Sequence, residues 1–461
     1  MQDWLTVLPP LLAIAVVLWK KEVILALLVA IFSSELLILI TESQSQTAIS
    51  SFALAGIERI IGVFESGGNT RILIFSLMVG ALLAFMKYSG GVTATVNFLI
   101  EKGLSGNARR SRLLAFFTGV IIFIESNLSV LMAGILSRGL FDKFKMSRAR
   151  LAYIIDSTSA PICILLLMNG WGAYVLALLG EYELNDSSVS ILIQTIPLNF
   201  YALFTLIIVL YTIIADKTHG PLKQAELQQN KNEQHAELEV PASKPSFMLI
   251  PLFTMSFSMV GFMFLTGNGD FTAGSGSKSV LYATSLACIV AYAMMVGSGR
   301  FSHQQMTGFG FKGMSELLPL VSIVLLSLAL GSSLKQLGTG IFISGIVAEN
   351  LPYFLIPAVI FIAGALMSFS TGTSWGTFAI LIPIGMPLVI NLGLPAPLIL
   401  AAILGGGIWG DHCSPISDTT AVSAVASGCD LLEHVKTQLP YALFAGGLTL
   451  FAYVLAGLIM I

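Results

Sequence analysis

Between Gly405 and Leu439 the chain reads GGGIWGDHCSPISDTTAVSAVASGCDLLEHVKTQL. No Asp, Glu, Lys or Arg occurs from Asn350 to Gly410. Asp411, His412, Ser414, Ser417, Asp418, Thr419 and Thr420 then arrive together around Pro415. Apolar sequence flanks them on both sides, which places the cluster at membrane depth, where ionisable groups are costly and mark functional sites by default. Pro415 lacks a backbone N–H and biases Ser414 away from the α region, so a helix breaks here. Backbone freed in this way is tolerated in a membrane only inside protein or beside a water-filled cavity. Carboxylates, hydroxyls and loose carbonyls are the oxygen ligands of a hard monovalent cation, and paired carboxylates can also carry protons. The competing reading is a polar kink that only packs helices.

Two smaller constellations have the same character. Asp156 is the one charged residue between Leu151 and Gly180, with Ser157, Thr158, Ser159 and Pro161 beside it. It reads as an ion or substrate ligand, or as a helix cap. Glu125 is the one charged residue between Leu113 and Ser137, followed by Ser126 and Asn127. It reads as a cation or proton ligand, or as the partner of an inner Arg. Hydroxyls at Thr371, Thr373 and Ser374 form a third polar point in an apolar segment. His412 titrates near neutral pH and could sense protons, or simply form local hydrogen bonds. Side chains of neighbours on a helix point about 100° apart, so Asp411 and His412 need not face one cavity.

GDHCSPISDTT, continued by CDLLEHVKTQLPYAL, and the earlier LAYIIDSTSAPICILL resemble the NhaC-type sodium/proton antiporter family, part of a superfamily of secondary carriers. That resemblance implies a transporter, not an enzyme, exchanging Na⁺ for H⁺ in the plasma (inner) membrane. It implies no cofactor beyond the transported ions. Related carriers move carboxylates or amino acids, so the resemblance leaves the substrate open.

Composition agrees with a multi-pass membrane protein. Of 461 residues, 56% are hydrophobic and 10% charged, against about 25% charged in soluble domains. The net charge of −2 is uninformative about nucleic acid, but the sequence has no basic tract of the kind that binds it. The start, MQDWLTVLPP, has no positive n-region, so the first apolar segment is expected to stay as a helix. Cys163, Cys288, Cys413 and Cys429 show no CxxC spacing, which argues against a disulfide framework or zinc site. No GxxxxGK[ST] motif suggests ATP-driven pumping. A membrane hydrolase built from Asp411, His412 and Ser414 is disfavoured because those residues are contiguous and no GxSxG surrounds them.

Apolar segments are expected at 5–19, 22–40, 72–86, 113–137, 151–180 and 189–215, then at 247–266, 280–297, 317–334, 354–385, 396–428 and 440–461. This divides the chain into a first membrane half, 1–215, a polar cytoplasmic linker, 216–246, and a second half, 247–461. The Gln-, Glu- and Lys-rich linker is expected to be solvated. Lys20 and Lys21, then Lys102, Arg109, Arg110 and Arg112, then Arg138, Lys143, Lys145, Arg148 and Arg150, mark cytoplasmic loops by the positive-inside rule. Segment 113–137 thus starts and ends on one side, as a re-entrant hairpin with its tip at Glu125-Ser126-Asn127. Segment 354–385 reads as a second hairpin, entering from outside, with its tip at residues 370–374. Loop 298–315 is expected inside.

Three echoes occur in the same order in both halves: FIESNLS with FSTGTSW, DSTSAPI with DHCSPIS, and QTIPLNFYALF with TQLPYALFAG. The fold expected is an all-α polytopic membrane protein of two inverted repeats. Each has about five crossings and one re-entrant hairpin, with broken helices at the midplane, a recurrent plan of secondary transporters. Na⁺ is expected at Asp411, Asp418 and Asp156, with Ser157, Thr158, Glu125, Ser126, Asn127, Thr371, Thr373, Ser374, Ser414, Ser417 and Thr419 completing ion and substrate sites. Asp430, Glu433 and His434 are expected at the inner surface. The alternative function is Na⁺- or H⁺-coupled transport of a small carboxylate or amino acid. The chain could also pair as a homodimer.

Overall fold

A computed structural model describes the chain except residues 1–2, 21, 44–47, 92, 96–97, 99–105, 124, 167–168, 229–240, 242 and 272. Lys21, Lys102 and residues 229–240 and 242 of the expected linker therefore lie outside the described residues. Among the described residues the protein is entirely helical, without strands. This follows from the environment, because backbone groups that meet hydrocarbon must be satisfied within their own segment. Nine of these helices are long and apolar enough to cross a membrane, or eleven if two bent pairs each count as one span.

The first half opens with α1 (Leu8–Lys20), α2 (Val23–Ser43), α3 (Ala48–Gly62) and α4 (Gly67–Tyr88). Next come α5 (Ala108–Ile121) and α6 (Ser126–Lys143). Ser129 Oγ donates to the Gly119 carbonyl at 3.1 Å, so the chain turns back on itself between them. The first hairpin is thus present, with its tip where expected. Segment 151–180 is divided into α7 (Arg148–Ser157), α8 (Ala160–Leu165) and α9 (Gly170–Leu179). Segment 189–215 is α10 (Ser188–Gln194) and α11 (Phe200–Ile214), bent by 41° around Pro197 and Asn199.

The linker departs from expectation over its described part. Residues Gly220–Gln228 form a helix, α12, with Leu222 and Ala225 buried at i, i+3 spacing. It is tied down by charge. The Arg150 guanidinium donates to Glu226 at 3.0 Å, to Asp216 at 3.0 Å and to the Thr212 carbonyl at 2.6 Å. Arg112 also pairs with Asp216. The Arg112 hydrogen bond, followed by that of Arg150, holds the Asp216 carboxyl down at about 2.

The second half contains α13 (Ser246–Thr266), α14 (Gly276–Gly297) and α15 (His303–Leu337). Helix α15 starts well before the expected 317, inside the expected loop 298–315. Ser302 and Gln305 form a reciprocal capping box, with Ser302 N to Gln305 Oε1 at 2.9 Å and Gln305 N to Ser302 Oγ at 3.2 Å. At 35 residues it is roughly 50 Å long, more than a bilayer core requires. The sequence reading had no counterpart for α16 (Thr339–Asn350).

Helices α17 (Ile356–Thr371) and α18 (Ser374–Leu392) form the second hairpin. Gly372 closes α17 in the left-handed region at φ 69°, against the Ile416 carbonyl. Leu381 lies against Gly364 across the turn, so the arms fold together. Both arms pack on α19 (Ala396–Cys413), where Gly410 lets the α17 backbone approach at Ala365. After the expected break come α20 (Asp418–Ser427) and α21 (Leu431–Met460). Asp430 caps α21 by accepting from Leu432 N and Glu433 N, each at 3.0 Å. Segment 440–461 therefore begins nine residues early, and His434 sits buried in the first turn of that helix.

Candidate functional site

Helix α19 stops at Cys413 and α20 restarts at Asp418, with Ser417 Oγ accepting from Thr420 N at 3.4 Å. This break is the meeting point of the two hairpin tips. Asp411 accepts from Ser417 Oγ at 2.6 Å through one oxygen and from Ser374 Oγ at 2.7 Å through the other. Ser374 belongs to the second tip, so Asp411 ties that tip to the break. Ser417 Oγ also lies 3.0 Å from Thr419 Oγ1. From the first tip, Asn127 Nδ2 donates to Asp418 Oδ2 at 3.1 Å. Asn127 Oδ1 is buried and has no hydrogen-bond partner.

Three helix N-termini point at this region, those of α6, α18 and α20. Two are met by the protein's own carboxylates. Glu125 Oε1 accepts from Asn127 N at 3.0 Å, and Asp418 Oδ1 accepts from Thr419 N at 2.8 Å. The attraction of helix N-termini for anions is in part satisfied internally.

The side chains enclose a cavity of about 260 Å³. Glu125, Ser126, Asn127, Thr373, Asp411, Asp418 and Thr419 line it. Glu316 from α15 and the aromatic rings of Phe75, Trp171 and Trp375 complete its wall. No Lys, Arg or His is among its described lining residues. A second, more open cavity of about 480 Å³ shares Glu125, Asn127, Glu316 and Leu317 with the first and reaches Lys87 and Val425.

Other expected residues lie elsewhere. Asp156 is fully buried on the far side of α19 and does not line the cavity. Its Oδ2 accepts from Gln438 Nε2 at 2.6 Å and from His434 Nε2 at 3.1 Å. His412 Nε2 is 3.9 Å from the same oxygen, and its Nδ1 lies 2.6 Å from Tyr201 Oη. Ser157 Oγ is 3.4 Å from His412 Nε2, while Thr158 Oγ1 bonds back to the Ile154 carbonyl at 2.9 Å. Asp411 faces the hairpin tips and His412 faces Asp156, as the angle between helical neighbours dictates. His434 is not a surface residue; no part of it is exposed. Thr371 donates to the Met367 carbonyl within its own helix at 3.0 Å, and Ser414 to the Phe369 carbonyl at 2.7 Å, joining the break to α17 of the second hairpin.

Sequence reasoning missed Glu316, Trp171, Trp375, Tyr201, His434 and Gln438. For Glu316 a signal existed, since it is the sole acidic residue between Asp270 and Glu349. For the aromatic residues none did, because the same residue types line ordinary helix contacts. Among the described residues no group of three or more His, Cys, Asp or Glu side chains is placed to hold a metal ion.

Comparison with known proteins agrees with this architecture. The family model described as "Na+/H+ antiporter family" matches residues 173–458, more than half of the chain. An uncharacterized protein of Haemophilus influenzae is 29% identical over 98% of this chain and 90% of its own length. The malate-2H(+)/Na(+)-lactate antiporter of Bacillus subtilis is 35% identical over 130 residues, 26% of this chain and 27% of that protein. Among solved structures, the Alcanivorax borkumensis YdaH transporter superposes with a TM-score of 0.60 at 13% identity, covering 90% of this chain and 88% of that one. That last likeness shows a shared fold. The buried carboxylates at a helix break, the many apolar spans and the family match together establish that the chain belongs to the Na⁺/H⁺ antiporter family, as a multi-pass secondary transporter and not an enzyme.

Proposed function

We propose that this protein exchanges Na⁺ for H⁺ at Asp411 and Asp418. The observation that carries this reading is the convergence of both hairpin tips on these carboxylates around a cavity whose described lining has acids but no bases. Carboxylates crowded in one cavity repel one another unless a cation or a proton compensates them. A sodium ion bound there would take oxygens from Asp411, Asp418, Ser417 and Thr419. The unpartnered Asn127 Oδ1 suits the same role, since a buried acceptor left without a donor is costly. Protonation of the carboxylates removes the negative charge that holds the ion, so the two species compete for one site.

Access in this reading alternates. The joined cavities lead past Glu316 to Lys87, at the end that the basic loops assign to the cytoplasm, so this conformation is open inward. On the other side the site is closed by Trp171, Trp375 and Tyr174, with ring centroids 5.0 Å and 4.9 Å apart. The halves 1–215 and 247–461 would act as inverted repeats that rock about the hairpin tips. Asp156, with His412 and His434, supports the helix that carries Asp411 from behind.

The test is exchange by purified protein in liposomes. An imposed Na⁺ gradient should move protons in the opposite direction with no other solute present. Absence of Na⁺-driven proton movement by an active preparation would overturn the reading. A second reading, coupled transport of an organic solute, is favoured by the size of the cavity.

A further inference from the structure

The cavity is built for more than an alkali ion. Its volume of about 260 Å³ compares with roughly 30 Å³ for one water in the liquid. A sodium ion alone needs only a few converging oxygens, and Asp411, Ser417, Asp418 and Thr419 already supply them along one wall. The rest of the lining has a different chemistry. Trp171, Trp375 and Phe75 give aromatic surface, and Leu317, Leu320 and Ile323 give aliphatic surface. Trp375 is half-buried, and its position is held. Its ring lies 5.0 Å from Trp171 and 4.9 Å from Tyr174, and its carbonyl accepts from Tyr174 Oη at 3.2 Å. Glu316 closes the opposite edge with a fourth carboxylate, bonded to Tyr88 Oη at 3.1 Å. Small-molecule sites combine an apolar wall with a few placed polar groups in this way. Aromatic faces beside carboxylates select organic cations, because the ring quadrupole attracts positive charge and the ring also covers an alkyl chain. The lack of any Lys, Arg or His in the described lining makes the cavity hostile to a free carboxylate or dicarboxylate.

We infer that this cavity binds an organic cation of about amino-acid size, carried by a primary amine or guanidinium. Its charged nitrogen lies among Asp411, Asp418 and Asn127, and its carbon chain lies against Trp375 and Trp171. The inference rests on the reading of this cavity as the transport site. It makes the organic cation and Na⁺ alternative ligands of the same carboxylates. Asn127 Oδ1, buried and unpartnered, would accept one ammonium hydrogen.

The test uses full-length protein in detergent and in liposomes. Binding is followed by tryptophan fluorescence and by uptake of radiolabelled solute. The probes are putrescine and agmatine as cations, malate and lactate as anions, and NaCl against KCl. At least one cation should bind, compete with Na⁺ and be taken up, while the anions do neither. Trp375→Leu should weaken that cation at least tenfold and change Na⁺ affinity less than twofold. Trp375→Phe should restore most of the difference. If Trp375 serves only as a gate, Trp375→Leu changes flux of Na⁺ and solute alike with unchanged affinities, and the inference falls. It also falls if Na⁺/H⁺ exchange is robust and no cation competes with Na⁺, an outcome that leaves the antiporter reading standing. Cation uptake without Na⁺-driven proton movement would instead overturn the Na⁺/H⁺ reading and keep this one.

Discussion

At the scale of single residues, the division of labour along one helix is the main finding. Asp411 and His412 are adjacent in sequence but serve different faces of α19. Asp411→Asn and Asp418→Asn each remove a charge from the cavity while keeping its shape. Each is expected to lower ion exchange at least a hundredfold in liposomes, with protein still folded by size-exclusion chromatography. Near-normal exchange by both would remove the cation site from this break. Ser417→Ala deletes a hydrogen bond to a carboxylate, a bond worth about 1.5–3 kcal/mol in typical cases. It should weaken apparent Na⁺ affinity about tenfold or more, read from the Na⁺ dependence of proton flux. His434→Ala and Gln438→Ala act behind the helix. Each leaves the buried Asp156 carboxylate with fewer partners, at a cost of about 1–3 kcal/mol. A lower melting temperature should register this, and an unchanged one would show that Asp156 is held by other groups.

At the scale of elements, hairpins and a helix break replace straight spans where function needs freed backbone. The first hairpin has basic residues at both ends, so Arg109 and Arg148 should label from the same side of the membrane when replaced by Cys. Labelling from opposite sides would contradict the turn seen between Gly119 and Ser129. The foot of this hairpin is fastened by Arg112, Asp216, Arg150 and Glu226. Asp216 is depressed in the folded state, so its contribution is complete above the ordinary Asp value of about 3.9. That contribution fades as pH falls through about 2. The Asp216 side chain is 62% exposed, so solvent screening keeps the effect of Asp216→Asn within about 1 kcal/mol. Arg150 is buried, and Arg150→Met strips donors from two acids and the Thr212 carbonyl together. Its loss should exceed that of Asp216→Asn in thermal melts at neutral pH. Equal effects would mean that the cluster does not hold the hairpin.

At the scale of the whole molecule, competition between ions is the consequence of one shared, acid-lined cavity. Adding Na⁺ to detergent-solubilised protein at fixed pH should release protons into a weakly buffered solution. The sign is set by the site: Na⁺ needs ionised carboxylates, and lower pH fills them with protons. Apparent Na⁺ affinity should therefore weaken as pH falls. An affinity independent of pH would separate the proton path from Asp411 and Asp418.

The sequence by itself determined the class of the protein and the place of its main break. Long apolar segments allow only helices in a membrane, and Pro415 between two acids marks where one helix must stop. Basic residues flanking segment 113–137 gave away the first hairpin, and the lack of any basic residue from Gln336 to the 411–420 motif gave away the second. These are local signals, carried by residues close in the chain. The tertiary structure alone decided which polar groups meet. Asp156 resembles Asp411 in its surroundings, yet α21 reaches it with His434 and Gln438, and α19 stands between it and the cavity. Glu316 and Trp375 face one space although 59 positions apart, because α15 and the second hairpin tip border the same gap. The early start of α15 was written in its capping box, whereas α12 owed its order to a buried Arg150 far along the chain. Partners so distant in sequence leave no spacing to read, and packing alone brings them within a hydrogen bond of each other.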